Sequence, residues 1–161
     1  MEDFQEELAS AKKQLRLADH MLAVTFPLLK ETKLLLAVVD NLFRAVDHAV
    51  SALLRFERYY KRIPAVPSSF EGRLAVLRLR VGKRVGLESE HLRFIQSLKS
   101  LVEERKKSPV EFARKGKVVI CSSTYALRTL SVGELKKHLS SAKGFIKEVE
   151  RVVEEHDGVL S

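Results

Sequence analysis

The residues best suited to acid–base chemistry lie near the middle of the chain. Arg44 and His48 are four residues apart, so on a helix they share one face and lie one turn from each other. An imidazole can move a proton and a guanidinium can stabilise a phosphate, and metal-independent cleavage of RNA requires both. Asp47 belongs to the same polar stripe, and an ordinary polar helix surface is the interpretation that we favour for this pair.

Histidines follow an acidic residue at three places, in the pairs Asp19-His20, Asp47-His48 and Glu90-His91. Glu88 and His91 also have the spacing found in di-iron helical bundles, but those sites need the same pair on a second helix. The sequence contains one copy only, so we predict surface histidines, no metal site and no cofactor. It also has no phosphate-binding glycine loop, dinucleotide-binding turn or nucleophile elbow.

The strongest feature of the sequence is the positive charge between Arg55 and Arg84, which we call the basic segment. It holds nine basic residues against two acidic ones, which is nearly all of the chain's formal net charge of +8. Arginine binds phosphate through a planar two-point fork, and Tyr59 and Tyr60 can stack on bases. We predict that this segment binds RNA or another polyanion. The predicted binding residues are Arg55, Arg58, Lys61, Arg62, Arg73, Arg78, Arg80, Lys83 and Arg84.

Two alternatives for the basic segment stay open. It can be a solvated surface without a ligand, or a patch that meets an acidic protein partner. Contacts to phosphate from such a segment are independent of base sequence and weaken with salt, so salt dependence distinguishes a polyanion ligand from the first alternative.

Length and composition predict one folded domain over residues 1–161, with 45% hydrophobic and 31% charged residues. The N-terminal residues are acidic, unlike a secretory signal, and the most apolar stretch (34–54) is interrupted by charges. The single cysteine, Cys121, cannot form an internal disulfide and suits a reducing compartment. We therefore expect a cytoplasmic protein that does not enter a membrane.

Apolar residues at spacings of three and four predict two long helices in the first part of the chain. The first covers about 3–29, with Pro27 as its kink or end, and the second covers about 32–61. A polar stripe runs along the second helix, and the rest of its surface is apolar, as expected of a central helix that packs on several sides.

Capping signals predict the later elements. Ser68-Ser69-Phe70-Glu71 begins a third helix, in which Gly82 and Gly86 mark either a bend or a break before a helix over about 88–107. Ser108-Pro109-Val110-Glu111 repeats the helix-start signal for a short turn. A final helix begins at Ser131-Val132-Gly133-Glu134 and extends to about Glu155.

One stretch has the character of a strand pair. Val118-Val119-Ile120-Cys121 is β-branched and compact, and a polar turn at Ser122-Ser123-Thr124 separates it from residues 125–130. Because an isolated two-stranded ribbon is only marginally stable, we expect it to pack on the helices.

Three stretches together resemble HEPN-type helical bundles. Residues 41–54, which end in Ala52-Leu53-Leu54, are similar to the alanine- and aromatic-rich second helix of that family. The stretch from Leu98 to Phe112 resembles its later helix, and Ala142-Lys143-Gly144-Phe145-Ile146 resembles its closing helix. The resemblance implies an up-and-down four-helix core and frequent dimerisation. The ribbon near 117–130 is foreign to that core and looks like an insertion.

Active HEPN members are metal-independent RNases that use an arginine, a polar residue directly after it, and a histidine separated from the arginine by four to six residues. By resemblance, Arg105 matches the arginine and Lys106 stands at the polar position. Val110, Glu111 and Phe112 stand where the histidine should fall, so the implied site lacks its proton-transfer group.

We therefore predict an all-α fold with a small β-hairpin, an up-and-down bundle of four or five helices. The expected function is non-enzymatic binding of RNA or another polyanion by a homodimer. A divergent RNase that uses Arg44, His48 or Arg105 is the first alternative. The second is a protein-interaction module, such as a toxin–antitoxin-like partner, whose basic segment meets an acidic protein.

Overall fold

A computed structural model describes residues 2–107, 110–114, 117–121 and 127–160. Five helices and three strands follow one another in these residues. The predicted fold, helical with a small β-hairpin, is confirmed. The helices are α1 (3–29), α2 (Lys33–Tyr59), α3 (70–85), α4 (Ser89–Lys107) and α5 (Val132–Leu160). The strands are β1 (Val110–Arg114), β2 (Lys117–Cys121) and β3 (Leu127–Leu130).

Helix α1 changes its winding just before its proline. It runs as an α-helix over Asp3–His20, as a π-helical turn over Met21–Thr25, and as a last α-helical turn over Phe26–Leu29. Pro27 has no N–H and its ring crowds the carbonyl four residues earlier, so a wider turn relieves that contact. The helix ends at Lys30, whose left-handed φ of 53° closes it.

Helix α3 also contains a π-helical turn and ends at a glycine. It comprises Phe70–Val76, the π turn Leu77–Val81 and Gly82–Val85. Gly86 adopts a left-handed φ of 71°, which a residue with a side chain rarely adopts. The stretch 70–107 is therefore two helices, and Gly86 is the break between them.

Serine caps begin two helices, as the sequence predicts, with one correction. The Ser131 hydroxyl accepts a hydrogen bond from the Glu134 N–H at 3.2 Å, just before α5. The cap of α3 is Ser69, which accepts from the Gly72 N–H at 3.0 Å. Ser68, which was expected to pair with Glu71, lies one residue too early, and its carbonyl oxygen binds Arg73 instead.

Ion pairs between helices fix their directions. Arg55, near the end of α2, contacts Asp3 at the start of α1, so these helices are antiparallel. Lys143 of α5 contacts Asp19 of α1, while Glu150 contacts Lys12, so these two are antiparallel as well.

Helix α4 completes the core. Phe94 lies near His138, and His91 lies near Phe145 further along α5, so α4 is antiparallel to α5. Arg105, near its end, contacts Asp40 near the start of α2. Helices α1, α2, α4 and α5 thus alternate in direction, as in an up-and-down four-helix bundle.

Helix α3 is the exception to this alternation, because it runs parallel to α2. Arg73 at its start contacts Asp47, and Arg84 at its end contacts Glu57, one after the other along α2. The ten residues 60–69 return the chain along the bundle before α3 begins. As a result, the ends of α2 and α3 lie together at one end of the molecule.

Apolar side chains from all five helices and from the sheet form one core. Helix α2 is its centre: Leu35, Val39, Val46 and Val50 are among its buried residues, and it contacts each of the other helices. The apolar residues of α5 from Leu135 to Val152 are all buried too.

The sheet has three strands where the sequence predicts two. The expected pair is present as β2 and β3, which are antiparallel with Val118 opposite Leu130. Residues 110–114 form a further strand, β1, with Val110 opposite Cys121. The helical start predicted at Ser108-Pro109-Val110-Glu111 is therefore wrong from Val110 onward, because pairing with β2 overrides the local signal. Ser108 and Pro109 themselves, and the predicted turn Ser122-Ser123-Thr124, lie outside the described residues.

We expect opposite effects of alanine at two helical glycines. A Cβ at Gly82 would lie 2.7 Å from the Leu77 carbonyl oxygen, across the π turn, whereas at Gly144 its nearest neighbour is 3.8 Å away. Gly144→Ala should raise the free energy of unfolding by about 0.5–1 kcal/mol, because the unfolded chain loses freedom. Gly82→Ala should lower it by about 1 kcal/mol or more through the displaced carbonyl. Urea unfolding measures both, and an equal increase in both variants would contradict the close contact.

Candidate polyanion-binding site

The basic segment extends over the end of α2, the following turn and all of α3. Arg55 and Arg58 lie on α2, and Lys61 and Arg62 lie in the turn after it. The remaining five cations lie on α3. Because α3 is parallel to α2, its end lies beside the end of α2. Most of the predicted binding residues are thereby gathered at one end of the bundle.

A buried carboxylate organises this end. Glu57 has an exposed fraction of 0%, and it accepts a hydrogen bond from Arg84 Nε at 2.7 Å and from Arg62 Nη1 at 3.1 Å. Arg84 Nη2 also contacts the same carboxylate. One negative charge therefore holds two arginines and ties the turn after α2 to the end of α3.

The sequence prediction treats Glu57 only as one of two negative charges in the basic segment and does not identify it as the buried partner of two arginines. The signal was present, since Val46, Val50, Leu53 and Glu57 continue one helical face at spacings of four, three and four. The first three are buried and apolar, so a glutamate in that series indicates a buried carboxylate, which requires cationic partners.

Arg73 is engaged by three hydrogen bonds within the protein. Its guanidinium binds Asp47 at 2.7 Å, and it donates to the carbonyl oxygens of Ser68 at 2.8 Å and Pro67 at 3.3 Å. Its side chain is only 13% exposed. These bonds join the 60–69 turn to α2, so Arg73 is expected to serve the fold.

Arg55 is also engaged within the molecule. It lies 3.2 Å from Asp3 and 3.6 Å from Glu7, both on α1. Four of the nine predicted ligands, Arg55, Arg62, Arg73 and Arg84, thus form ion pairs with acidic residues of other elements or of the bundle interior.

The other five basic side chains are exposed and form no ion pair with the residues that the structure describes. Glu71, the second acidic residue of the basic segment, does not neutralise them, because its carboxylate pairs with Lys99 at 3.2 Å. A backbone hydrogen bond, followed by the Lys99 contact, lowers the pKa of Glu71. The five available cations are Arg58, Lys61, Arg78, Arg80 and Lys83.

The π turn of α3 coincides with part of this surface. Arg78, Leu79 and Arg80 are three consecutive exposed residues within Leu77–Val81, and Leu79 is 61% exposed. A π turn re-aims side chains relative to a regular helix, and such turns are frequent at functional sites. The packed residues Leu77 and Val81 on either side anchor the turn in the core.

One of the two tyrosines predicted to stack on bases is accessible. Tyr59 is 50% exposed, and its ring meets Phe4 edge-on at 5.4 Å between ring centroids. Tyr60 is half-buried, and the Arg62 guanidinium lies over its ring at 5.2 Å. Tyr59 is therefore the better placed of the two to stack on a base.

Two of the three alternative catalytic residues, Arg44 and His48, lie on one stripe of α2, and the third, Arg105 of α4, contacts that stripe at Asp40. His48 Nδ1 is 2.7 Å from a carboxylate oxygen of Glu7, and Arg105 Nη1 is 2.9 Å from both carboxylate oxygens of Asp40. Arg44 is exposed between them, with a hydrogen bond to Asn41. Asp40 and His48 are two turns apart, about 12 Å along the helix axis. Arg105 and His48 are thus each held by a carboxylate.

The described residues contain no group of three or more histidine, cysteine or acidic side chains placed to hold a metal ion. The same part of the chain contains no helix whose length and apolar character would let it cross a membrane. Compared with the models of known protein families and with the curated proteins, the sequence matches none of them.

Proposed function

We propose that this protein is a non-enzymatic helical bundle that binds RNA or another polyanion through the exposed cations of the basic segment. The observation that supports it most strongly is the division of that segment into two sets. Four arginines are held by carboxylates, whereas five cations at the end of α2, in the turn after it and on α3 are exposed without an ion-pair partner among the described residues.

Binding by such a surface depends on charge and on stacking. Lysine and arginine side chains replace the counterions of successive phosphates, which favours binding at low salt and carries no base specificity. Tyr59, half exposed and directly after Arg58 in sequence, offers one ring for a splayed base. The proposed ligand is therefore single-stranded or locally unpaired RNA, read by its backbone.

The experiment is a titration of a short, labelled single-stranded RNA with the protein at low salt and in the presence of a chelator. We expect a rise in fluorescence anisotropy that heparin reverses, and RNA that stays full length on a denaturing gel. Absence of binding at low salt would remove the proposal.

The same samples test the RNase alternative. Cleavage without metal that is lost in both His48→Ala and Arg105→Ala would favour that alternative, because Arg105 of α4 contacts Asp40 on the same α2 stripe that contains His48. Co-purification from the native host, with and without nuclease treatment, separates an acidic protein partner from nucleic acid. The homodimer is a prediction of the family resemblance, and light scattering of the purified protein measures it.

A further inference from the structure

A pocket lies at the opposite end of the bundle from the basic segment. Its volume is about 560 Å³, which is within the range of small-molecule sites, about 300–1,000 Å³. The second half of α1 and the start of α5 form its walls, at the end of the bundle where α2 begins. Its lining residues are Leu22, Ala23, Phe26, Pro27, Lys30, Val132 and Lys136.

The pocket lies where α1 departs from regular winding. Leu22 and Ala23 belong to the π turn Met21–Thr25, and Phe26 and Pro27 follow it directly. The extra residue in that turn displaces the end of α1 relative to a regular helix, and such turns are frequent at functional sites. This observation is independent of the cavity volume and points to the same place.

The lining combines an apolar wall with two cations. Five of the seven lining residues are apolar, and the other two are Lys30 and Lys136, whose side chains are exposed. Neither lysine forms an ion pair with the residues that the structure describes, and the lining contains no acidic residue. The ligand must therefore bring an apolar body for the wall and a negative group for the lysines.

We propose that this pocket binds an apolar monocarboxylate, a molecule with an aliphatic or aryl body and one carboxylate. The body lies against Leu22, Phe26 and Val132, and the carboxylate lies between the ammonium groups of Lys30 and Lys136. Lys30 lies in the left-handed turn that ends α1, so its backbone position is fixed before a ligand arrives.

RNA is a poor match for this pocket. Two cations supply few phosphate contacts, and the apolar wall offers no hydrogen bonds to sugar or base edges. Ligand binding in the pocket is thus separate from polyanion binding. A variant that loses one of these two binding activities should keep the other.

The test is calorimetric titration of the whole protein with decanoate, below its micelle-forming concentration, and with decanol as the neutral comparison. We expect saturable 1:1 binding of decanoate and at least tenfold weaker binding of decanol. Lys30→Glu combined with Lys136→Glu should weaken the binding of decanoate at least tenfold. Ala23→Phe should weaken the binding of both ligands, because its larger side chain fills the pocket.

Lys33→Glu combined with Lys147→Glu is the matched control, since both lysines are exposed and neither lines the pocket. Its charge change equals that of the pocket variant. Far-ultraviolet circular dichroism checks that each variant folds. The proposal is overturned if decanoate shows no saturable binding to the wild-type protein, if decanol binds as tightly, or if the control weakens decanoate as much as the pocket variant.

Discussion

Reversing Arg78, Arg80 and Lys83 to glutamate is expected to reduce RNA affinity by roughly 10²–10³-fold at about 50 mM salt. These three residues belong to the exposed set of the basic segment, so each is expected to contribute one phosphate contact. For a single strand, each lost phosphate contact lowers log K by about 0.7 times the logarithm of the inverse molar salt concentration. At about 50 mM salt, one lost contact therefore lowers the binding constant close to tenfold. Fluorescence anisotropy with a labelled single-stranded RNA measures the change.

The matched control reverses three other exposed lysines, Lys13, Lys33 and Lys147, on α1, α2 and α5. It alters the net charge of the protein by the same amount, so it corrects for long-range attraction. We expect the RNA affinity of the control to fall by no more than about tenfold, because only the long-range attraction between protein and RNA changes. Equal losses in the two triple variants would show that total charge, and not the basic segment, determines binding.

Replacing Glu57 with glutamine should cause the largest loss of stability among charge-neutralising changes. The carboxylate is fully buried, and Arg84 and Arg62 bind its two different oxygens, so glutamine replaces one acceptor oxygen with an NH2 donor and removes the negative charge between two cations. Breaking a buried ion pair costs about 3–5 kcal/mol. Both guanidinium groups are partly exposed and can turn to water, so we expect a loss of about 2–3 kcal/mol.

Thermal unfolding followed by circular dichroism measures this change. For a chain of this size, a loss of about 2–3 kcal/mol lowers Tm by roughly 4–12 °C. Glu155→Gln is the control, because its ion pair with Arg151 is exposed at the end of α5 and is worth less than about 1 kcal/mol. Similar Tm values for the two variants would contradict the organising role of Glu57. RNA binding below Tm should persist in Glu57→Gln, since none of the five available cations contacts Glu57.

The helices could be predicted because their signals are local. Apolar spacing predicts α1 and α2, the capping signal at Ser131 predicts α5, and Pro27 marks the irregular end of α1. The same local reasoning failed at Val110, where a start signal typical of a helix precedes a strand. Strand β1 depends on its pairing with β2, and such pairing cannot be predicted from the residues of either strand alone.

The charges of the candidate site show the same division. The sequence located the basic segment, but it could not show which cations are already paired. Asp3 and Asp47 lie outside that segment, and they reach Arg55 and Arg73 only after the helices have packed. A linear count of charges therefore cannot show that four of the nine predicted ligands form ion pairs within the protein.

Binding of single-stranded RNA across a salt series tests polyanion recognition by this surface most directly. With five available cations, the plot of log K against log salt should be linear with a slope of about −3 to −4. The Arg78, Arg80 and Lys83 reversal should reduce that slope to about −1 to −2, since two cations remain. A slope near zero for the wild-type protein, or no binding at the lowest salt, would contradict polyanion binding through the basic segment.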